Sequence, residues 1–312
     1  MHKLVVGTRG SLLARTQTQW VVDRLIAANP GLEVVTRLIT TAGDRQQERP
    51  LPEIGGKGLF TEELERALLD GSIDLAVHST KDLPTMLKSG LEVLAYPPRE
   101  DPRDAWVAAQ AGRFEDTPQG SVVGTTSLRR QAQLLMRRPD IRFVGLRGNV
   151  DTRIRKVHRG DCAGAVLAMS GLKRAGLEQH ATHPFEPAEM LPAPGQGALA
   201  IEGRVDDERL AACLRPIHDV ATASAVDCER AILARLDAGC RAPVAIYATV
   251  TGGTLACEAL VISPDGRRHV RCEADGPAAE VDRIVQQIVG HLKAAGADAI
   301  INACRQSGQG LD

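Results

Sequence analysis

The sequence predicts a mixed α/β protein with two α/β lobes that form a cleft, followed by a small C-terminal α+β domain with an antiparallel sheet. Three observations support this fold class. Short apolar strands are repeatedly followed by a small polar turn and a helix, which is the order of elements in α/β lobes. Two breaker-rich segments, at residues 96–102 and 191–197, suggest that one lobe is inserted into the other. From about Val220 the pattern changes to a helix, several strands and a last helix.

The first lobe is predicted to comprise residues 1–97 and 198–217. Its opening strand is followed by the turn GTRGS, which places Arg9 and Ser11 at the start of a helix. Paired glycines in IGGKGLF come before a second helix, and this segment is either a mobile loop carrying Lys57 and Phe60 or a plain glycine-rich connection. Strands are expected at residues 4–6, 34–39, 73–77 and 199–201, with helices at 12–28 and from 61 onwards.

The segment HSTKDLP follows the buried strand at residues 73–77. In open α/β sheets, ligands bind beyond the carboxyl ends of the strands. His78, Ser79 and Lys81 therefore lie where chemistry usually occurs, and so does Asp82. An aspartate before Leu-Pro is also a common turn former, so the local sequence leaves the role of Asp82 open.

The second lobe, residues 98–197, contains arginines at two strand–helix junctions. Arg129 and Arg130 fall in the first turn of one predicted helix, and Arg147 comes just before another. The helix dipole makes a cation unfavourable at these positions, whereas a bound anion would reverse that cost. We therefore predict an anion site, and we expect that removing Arg129 or Arg130 costs little stability.

A solvated basic face is the other interpretation of such arginines, and we prefer it for Arg137 and Arg138 at the favourable C-terminal end of the first of these helices. The four elements expected around the two junctions are strands at 122–123 and 141–144 and helices starting at Leu128 and Val150.

The third domain, residues 218–312, is expected to contain a helix to about Leu236, three antiparallel strands and a last helix over 278–294. Cys240 lies in a glycine-containing loop beside Arg241. A neighbouring guanidinium favours the thiolate, whereas a cysteine in a strand, such as Cys257, is more often inert packing. Cys240 is therefore the candidate reactive cysteine.

Composition narrows the range of functions. The contents of 43% hydrophobic and 25% charged residues are typical of a globular protein, and no apolar run reaches the length of a membrane span. Seven scattered cysteines without a CxxC motif fit reduced thiols better than disulfides or a zinc site, and we expect no bound metal and a cytoplasmic location. Residues 121–176 carry ten Arg and two Lys against three Asp, which suits a polyanion. Aromatic residues make up only 3%, so small polycarboxylates or phosphates fit better than nucleic acid.

These segments together resemble the porphobilinogen deaminase family, whose members are also called hydroxymethylbilane synthases. The match follows the chain in order and covers nearly all of it. The segments that carry it are GTRGSLLA, IGGKGLFTEELE, DLAVHSTKDLP, VGTTSLRRQAQL, LRGNVDTR, MSGLKR, PAPGQGALAIE and LDAGCRAPVA.

The resemblance implies three domains, the first two like the lobes of type II periplasmic binding proteins. It implies a dipyrromethane cofactor, covalently attached to Cys240. Four porphobilinogen molecules are then joined head to tail with loss of ammonia, and hydrolysis releases hydroxymethylbilane. The family's usual form is a monomer, which we expect here.

The resemblance also gives roles to individual residues. Asp82 matches the catalytic acid, where a carboxylate near the pyrrole nitrogens stabilises positive charge and relays protons. The segment with Lys57 and Phe60 becomes a lid that excludes water. The positions implied to bind the cofactor are Cys240, Lys81, Asp82, Thr125, Ser127, Arg129, Arg130 and Arg147, and those implied to bind substrate are Arg9, Ser11, Arg147, Arg153 and Gln196.

Two rival functions remain on the residues alone. A small-anion binding protein would explain two lobes and the junction arginines, but it needs neither Cys240 nor Asp82. A nucleic-acid-binding protein would explain the local charge, but not the low aromatic content. A bound pyrrole chromophore on the purified protein would distinguish the enzyme from both.

Overall fold

The computed structural model describes residues 3–45, 61–238 and 242–306. The helices are α1 (Leu12–Ala28), α2 (Ala42–Arg45), α3 (Glu62–Leu69), α4 (Leu128–Arg137), α5 (Val150–His158), α6 (Met169–Arg174), α7 (Glu208–Leu214), α8 (Val220–Leu236), α9 (Val281–Ala294) and α10 (Ala297–Gln306). The strands are β1 (Lys3–Thr8), β2 (Glu33–Leu38), β3 (Leu75–Ser79), β4 (Leu91–Ala95), β5 (Asp104–Ala108), β6 (Val122–Gly124), β7 (Arg142–Val144), β8 (Gly164–Ala168), β9 (His183–Pro184), β10 (Leu199–Arg204), β11 (Val244–Thr251), β12 (Thr254–Ile262) and β13 (His269–Pro277).

The chain divides into two compact units, each made of two separate stretches of sequence. The first unit contains residues 1–100 and 197–223, and the second contains 101–196 and 224–312. The three-domain boundaries predicted from sequence stay a prediction.

The first unit is built on a five-stranded sheet with the order β2-β1-β3-β10-β4. Strand β1 runs parallel to β2 and β3, whereas β10 is antiparallel to both of its neighbours. Helix α1 buries Val21, Val22 and Leu25 against one face of this sheet because these positions lie on one side of the helix. Helix α3 packs Leu64 and Leu68 on the other face. Strand β10 therefore lies between β3 and the edge strand β4, although both of these strands come about a hundred residues or more before it in the chain.

The second unit contains two sheets, a five-stranded one with the order β7-β6-β8-β5-β9 and a three-stranded antiparallel one with the order β11-β12-β13. The larger sheet has a core of Trp106, Phe114 and Phe185, whose rings meet edge to face. The smaller sheet packs against α4 through an apolar cluster that includes Ala132 and Leu260. These sheets confirm the predicted mixed α/β class with a small antiparallel domain at the C-terminus.

The turn between β12 and β13 lies directly against helix α4. Gly266 has a positive φ of 73°, and a Cβ atom there would come within 2.7 Å of the backbone of Ala132 and Met136. Only glycine fits both the backbone conformation and this close approach. The small sheet is thereby held against the helix that carries Arg129 and Arg130.

Several predicted elements are confirmed closely and others are wrong in extent. Helices α1 and α8 have the expected bounds, and α4 and α5 begin at the predicted residues. The strand expected over 73–77 instead spans Leu75–Ser79, so His78 lies within the sheet rather than after it. A separate helix, α10, follows the segment that we expected to be the last helix.

Candidate active site

A small pocket of about 60 Å³ lies at the carboxyl end of β3 in the first unit. Its lining comes from the start of α1, from β3, from the residue before α3 and from the turn that follows β3. The lining residues are Arg9, Ser11, Leu13, Ala14, Gln17, Thr61, Val77, His78, Ser79 and Asp82. The pocket brings together three residues predicted separately from sequence, namely Arg9, Ser11 and Asp82.

Local hydrogen bonds hold this wall in place. The Ser11 hydroxyl accepts a hydrogen bond of 3.2 Å from the backbone N–H of Ala14, so Ser11 is the N-cap of α1. The buried Gln17 amide donates to the Ser79 hydroxyl at 2.9 Å and also accepts from it at 3.2 Å. These contacts fix α1 against the end of β3, so the polar atoms of both elements are directed at one space.

Asp82 lies at the end of the short 3-10 helix Thr80–Asp82, and its side chain is exposed. Lys81 beside it is also exposed. Leu83, the next residue, is buried and its backbone N–H donates to the Thr80 carbonyl, which anchors the turn. The turn therefore has an apolar anchor, while the carboxylate stays accessible at the pocket.

The second unit contains an arginine–aspartate cluster made of Asp104, Arg129, Arg130 and Gln196. Asp104 on β5 is fully buried. Its Oδ2 accepts a 2.7 Å bond from Arg129, and its Oδ1 accepts bonds of 2.6 and 3.0 Å from Arg130 and 3.0 Å from the Gln196 amide. Arg129 also donates to the Leu191 carbonyl, and Arg130 to the Val166 carbonyl.

This cluster corrects our prediction for Arg129 and Arg130. They are only 7% and 8% exposed, so the anion that offsets their position at the helix start is a carboxylate of the chain itself. We therefore now expect their removal to be destabilising, because it would leave a buried carboxylate short of a partner. Burial raises the pKa of Asp104, but the two guanidinium groups outweigh burial and hold that pKa well below its usual range.

Arg137 and Arg138 do not form the solvated basic face that we expected. Arg137 is half-buried, pairs with Glu115 and Glu189, and donates to the Glu189 carbonyl at 3.2 Å. Arg138 binds Asp140 at 2.7 Å and three backbone carbonyls. The helix end instead holds neighbouring loops through ion pairs.

The remaining predicted residues of the second lobe lie near its two helix starts. The backbone N–H of Ser127 donates to the Thr125 hydroxyl at 3.2 Å, which shapes the turn before α4. Arg153 donates from Nε to the Gly148 carbonyl at 2.9 Å, and Lys156 donates to the carbonyl of Arg147 at 3.3 Å. Arg147 and Arg153 are both half-buried.

Three predicted residues, Cys240, Lys57 and Phe60, lie outside the described residues. Cys257, expected to be inert, is buried in β12, and its hydrogen bond with Cys228 and its burial raise its pKa. A raised pKa keeps a thiol protonated and unreactive.

Sequence reasoning missed two residues that organise these sites. Asp104 gave only a weak signal, an acid directly before the apolar run of a strand. Gln17 gave no signal, because a glutamine within a helix is usually solvated. Both form bonds to residues more than twenty positions away, which local patterns do not show.

No helix within the described part of the chain combines the length and apolar character required to cross a membrane. Two family models match the sequence. The one described as "Porphobilinogen deaminase, dipyromethane cofactor binding domain" matches residues 4–212, and the one described as "Porphobilinogen deaminase, C-terminal domain" matches residues 223–294. The chain belongs to the porphobilinogen deaminase family.

Individual relatives agree with this assignment. The chain is 48% identical over 300 residues to the porphobilinogen deaminase of Syntrophotalea carbinolica, covering 96% of this chain and 95% of the relative. It is 47% identical over 277 residues to that of Nitrobacter hamburgensis, covering 88% of each. Among solved structures, the periplasmic aliphatic sulphonate binding protein SsuA from Escherichia coli aligns with a TM-score of 0.39 at 15% identity, covering 76% of this chain and 71% of that one.

Family membership makes the chain an enzyme of tetrapyrrole biosynthesis. It is a transferase that polymerises porphobilinogen to hydroxymethylbilane and uses a dipyrromethane cofactor.

Proposed function

We propose that the pocket at the end of β3 is where porphobilinogen units are joined, with Asp82 as the acid–base group. The observation that carries this proposal is that Asp82, Arg9 and Ser11 line one pocket of the first unit. A porphobilinogen ring offers an N–H donor, two carboxylates and an aminomethyl group. The pocket offers the Arg9 guanidinium and the Ser11 hydroxyl for the carboxylates, and the single carboxylate of Asp82 for both the N–H and the aminomethyl end.

Asp82 has two tasks in this reaction. Its carboxylate accepts a hydrogen bond from the pyrrole N–H and stabilises the positive charge that develops as ammonia leaves. It then accepts the proton displaced from the pyrrole carbon that forms the new bond. Its carboxylate is exposed, which suits a group that exchanges protons with a ligand.

The donors of this chain also fit the carboxylates of dipyrromethane. When bound, this group supplies the pyrrole carbon to which the first substrate is joined. Each guanidinium carries five N–H donors, and the cluster around Asp104 uses only some of those of Arg129 and Arg130. We propose that their remaining donors bind cofactor carboxylates, together with Lys81, Thr125, Ser127 and Arg147, and that Arg153 and Gln196 bind substrate.

We propose further that Cys240 carries the cofactor through a thioether and that the segment with Lys57 and Phe60 closes over the site. The support is the match of LDAGCRAPVA and IGGKGLFTEELE to the family's segments. We also propose a cytoplasmic monomer that binds no nucleic acid, in keeping with the reduced-thiol pattern and the low aromatic content.

Replacement of Asp82 by Asn tests the catalytic proposal. We expect the variant to fold and to keep its cofactor, while turnover falls by about 10² or more because an acid–base group is lost. Asp70→Asn is the matched control, because Asp70 is also exposed and only shapes a turn through its bond to the Ser72 N–H. Near-normal turnover in cofactor-loaded Asp82→Asn would assign Asp82 to the same turn-forming role.

Intact mass tests the attachment site separately. We expect the purified protein to exceed its sequence mass by one dipyrromethane, and Cys240→Ser to lose that increment and its activity. Cys257→Ser is the control, because Cys257 is buried and should leave the increment unchanged. An added mass that persists in Cys240→Ser would place the cofactor elsewhere.

A further inference from the structure

The end of helix α8 is held by an arginine from helix α10. Nη2 of Arg305 on α10 lies 2.8 Å from Oδ2 of Asp237, and it also donates a hydrogen bond to the backbone carbonyl of Asp237. Asp237 comes directly after α8, which ends at Leu236. One guanidinium therefore binds both the side chain and the backbone of the residue at which the chain leaves the helix.

Asp237 has a backbone conformation that benefits from such support. Its φ is 44°, in the left-handed region, and it is one of the two non-glycine residues with a positive φ in the described part of the chain. Aspartate tolerates this region better than most residues, but the conformation is still strained compared with glycine. The Asp237 N–H donates to the Ala234 carbonyl at 3.1 Å, which closes the last turn of α8. The bond from Arg305 to the Asp237 carbonyl orients the next peptide unit, so the two bonds together set the direction in which the chain continues.

Helix α10 is packed firmly enough to hold this arginine in place. Its buried residues recur every three to four positions and so lie on one side of the helix, namely Ala297, Ile300, Ile301 and Cys304. Three of them belong to the apolar core that also contains Leu236 and Ala238, the neighbours of Asp237 on either side. Helix α10 begins after residue 294, where the match to the C-terminal family model ends. The two partners of the contact therefore come from elements that share one core.

The sequence that follows Asp237 gives this contact a possible connection to catalysis. Cys240, to which we propose that the cofactor is attached, comes three residues after Asp237. Ala238 and Ala242, which flank residues 239–241, both pack against the core of the small domain. The direction of the backbone is therefore set at Asp237, just before the chain reaches the attachment residue.

We propose that Arg305 is a positioning residue for the cofactor: by holding Asp237 in its left-handed conformation, it sets the direction of the chain that leads to Cys240. This inference rests on the proposed attachment of dipyrromethane to Cys240. Arg305 acts through the backbone of Asp237 rather than through contact with the reacting groups. Its loss should therefore affect the placement of the primer and not the binding of free porphobilinogen.

The test is steady-state kinetics of cofactor-loaded Arg305→Leu with porphobilinogen. We expect kcat per loaded molecule to fall about two- to fivefold with KM unchanged, because the primer is misplaced while the substrate site is intact. The melting temperature should stay within about 3 °C of the parent, since the ion pair is exposed. Arg305→Lys should recover part of the loss, because lysine keeps the charge but not the fixed geometry of the guanidinium.

Arg235→Leu is the matched control. Arg235 on α8 pairs with Asp282 on α9 at 3.3 Å, and the two side chains are 41% and 88% exposed, compared with 46% and 85% for Arg305 and Asp237. The Arg235 pair joins one side chain to another, whereas Arg305 also binds a backbone carbonyl. Arg235→Leu should therefore keep the kcat of the parent. Equal losses in the two variants, or a full kcat in Arg305→Leu, would overturn the inference.

A second comparison applies even if Arg305→Leu fails to fold. Asp237→Gly and Asp237→Val both remove the carboxylate, but glycine adopts a positive φ freely whereas valine strongly disfavours it. The difference between them therefore reports the backbone conformation rather than the ion pair. We expect kcat of Asp237→Val to be at least about twofold lower than that of Asp237→Gly, again with KM unchanged. Equal kcat values would mean that the direction of the chain at Asp237 does not matter, and the inference would be wrong.

These outcomes are distinct from a failure of the attachment proposal. An added mass that persists in Cys240→Ser would refute the attachment site itself. An unchanged kcat in Arg305→Leu would refute only the role of Arg305.

Discussion

Charged residues at strand–helix junctions have opposite environments in the two units. At the end of β3, Asp82 is exposed and lines a pocket with Arg9 and Ser11. At the start of α4, Arg129 and Arg130 are buried and bound to Asp104. The sequence signal was the same in both places, a charged side chain where ligands often bind.

The difference shows that position at a junction does not by itself make a ligand-binding group. What decides is whether the fold supplies a buried counter-charge. Asp104 supplies it in the second unit, where it also accepts a bond from Gln196. The arginines therefore have a structural role whatever else they bind, whereas Asp82 is exposed at the pocket where we propose its catalytic role.

The largest expected effect is on stability in the second unit. Arg130→Leu should lower the free energy of unfolding by about 3–5 kcal/mol, because it leaves the buried Asp104 with one guanidinium fewer. Urea denaturation of the purified variant measures this loss. Asp82→Asn serves as the comparison and should change stability by less than about 0.5 kcal/mol as an exposed substitution. An Arg130→Leu protein as stable as the parent would mean that the cluster does not hold the unit together.

The next effect is on substrate binding in the first unit. Arg9→Leu should lower kcat/KM by roughly 10- to 100-fold, the usual scale for a lost charge-assisted hydrogen bond, while the cofactor content remains. Steady-state kinetics with porphobilinogen measures the effect. Arg15→Leu is the control, because Arg15 is an exposed arginine of the neighbouring helix α1 that does not line the pocket. Equal losses in both variants would point to a general charge effect rather than to the pocket.

The pH dependence of the free energy of unfolding should report the Asp104 ion pairs of the second unit. The pKa of Asp104 is lower in the folded than in the unfolded protein. Its contribution to the free energy of unfolding is therefore fully present at pH values above the pKa of the unfolded state, about 3.9. This stabilisation is lost as the pH falls toward the pKa of the folded state, by about 1.4 kcal/mol per pH unit. The stability difference between the parent and Asp104→Asn should therefore be constant from pH 7 to 5 and shrink below pH 4. A difference that grows on acidification would have the wrong sign for this ion pair.

The smallest effect is expected at the far end of α4. Arg137 is half-buried and its ion pairs are partly solvated, so Arg137→Leu should cost about 0.5–1 kcal/mol and leave turnover nearly intact. Thermal melting of the variant measures the loss of stability, and a turnover assay measures its activity. A catalytically dead Arg137→Leu would reverse the assignment of roles along this helix.

Sequence patterns predicted most of the local structure and only part of the site. The bounds of α1 and α8 could be read from apolar spacing, and GTRGS and HSTKDLP each contain residues that line the pocket. Asp104 could not be found this way, because its partners lie 25 and 26 residues further along the chain. A buried hydrogen bond between His78 on β3 and Glu202 on β10 spans 124 residues and depends on the strand order of the sheet. Helix α10 was not predicted; it begins at Ala297, directly after Gly296, whose positive φ of 94° separates it from α9.

The position of β10 between β3 and β4 has a consequence for synthesis on the ribosome. Strands β3 and β4 are translated by residue 95, but β10, which lies between them, ends at Arg204. At about 5–20 residues per second, the nascent chain spends roughly 5–20 s with both strand edges unpaired. Residues 101–196 can acquire their own sheet during this interval. The inserted lobe is therefore expected to become protease-resistant on stalled ribosomes before the sheet of the first unit does. We expect a chaperone to bind the unpaired strands of that first sheet.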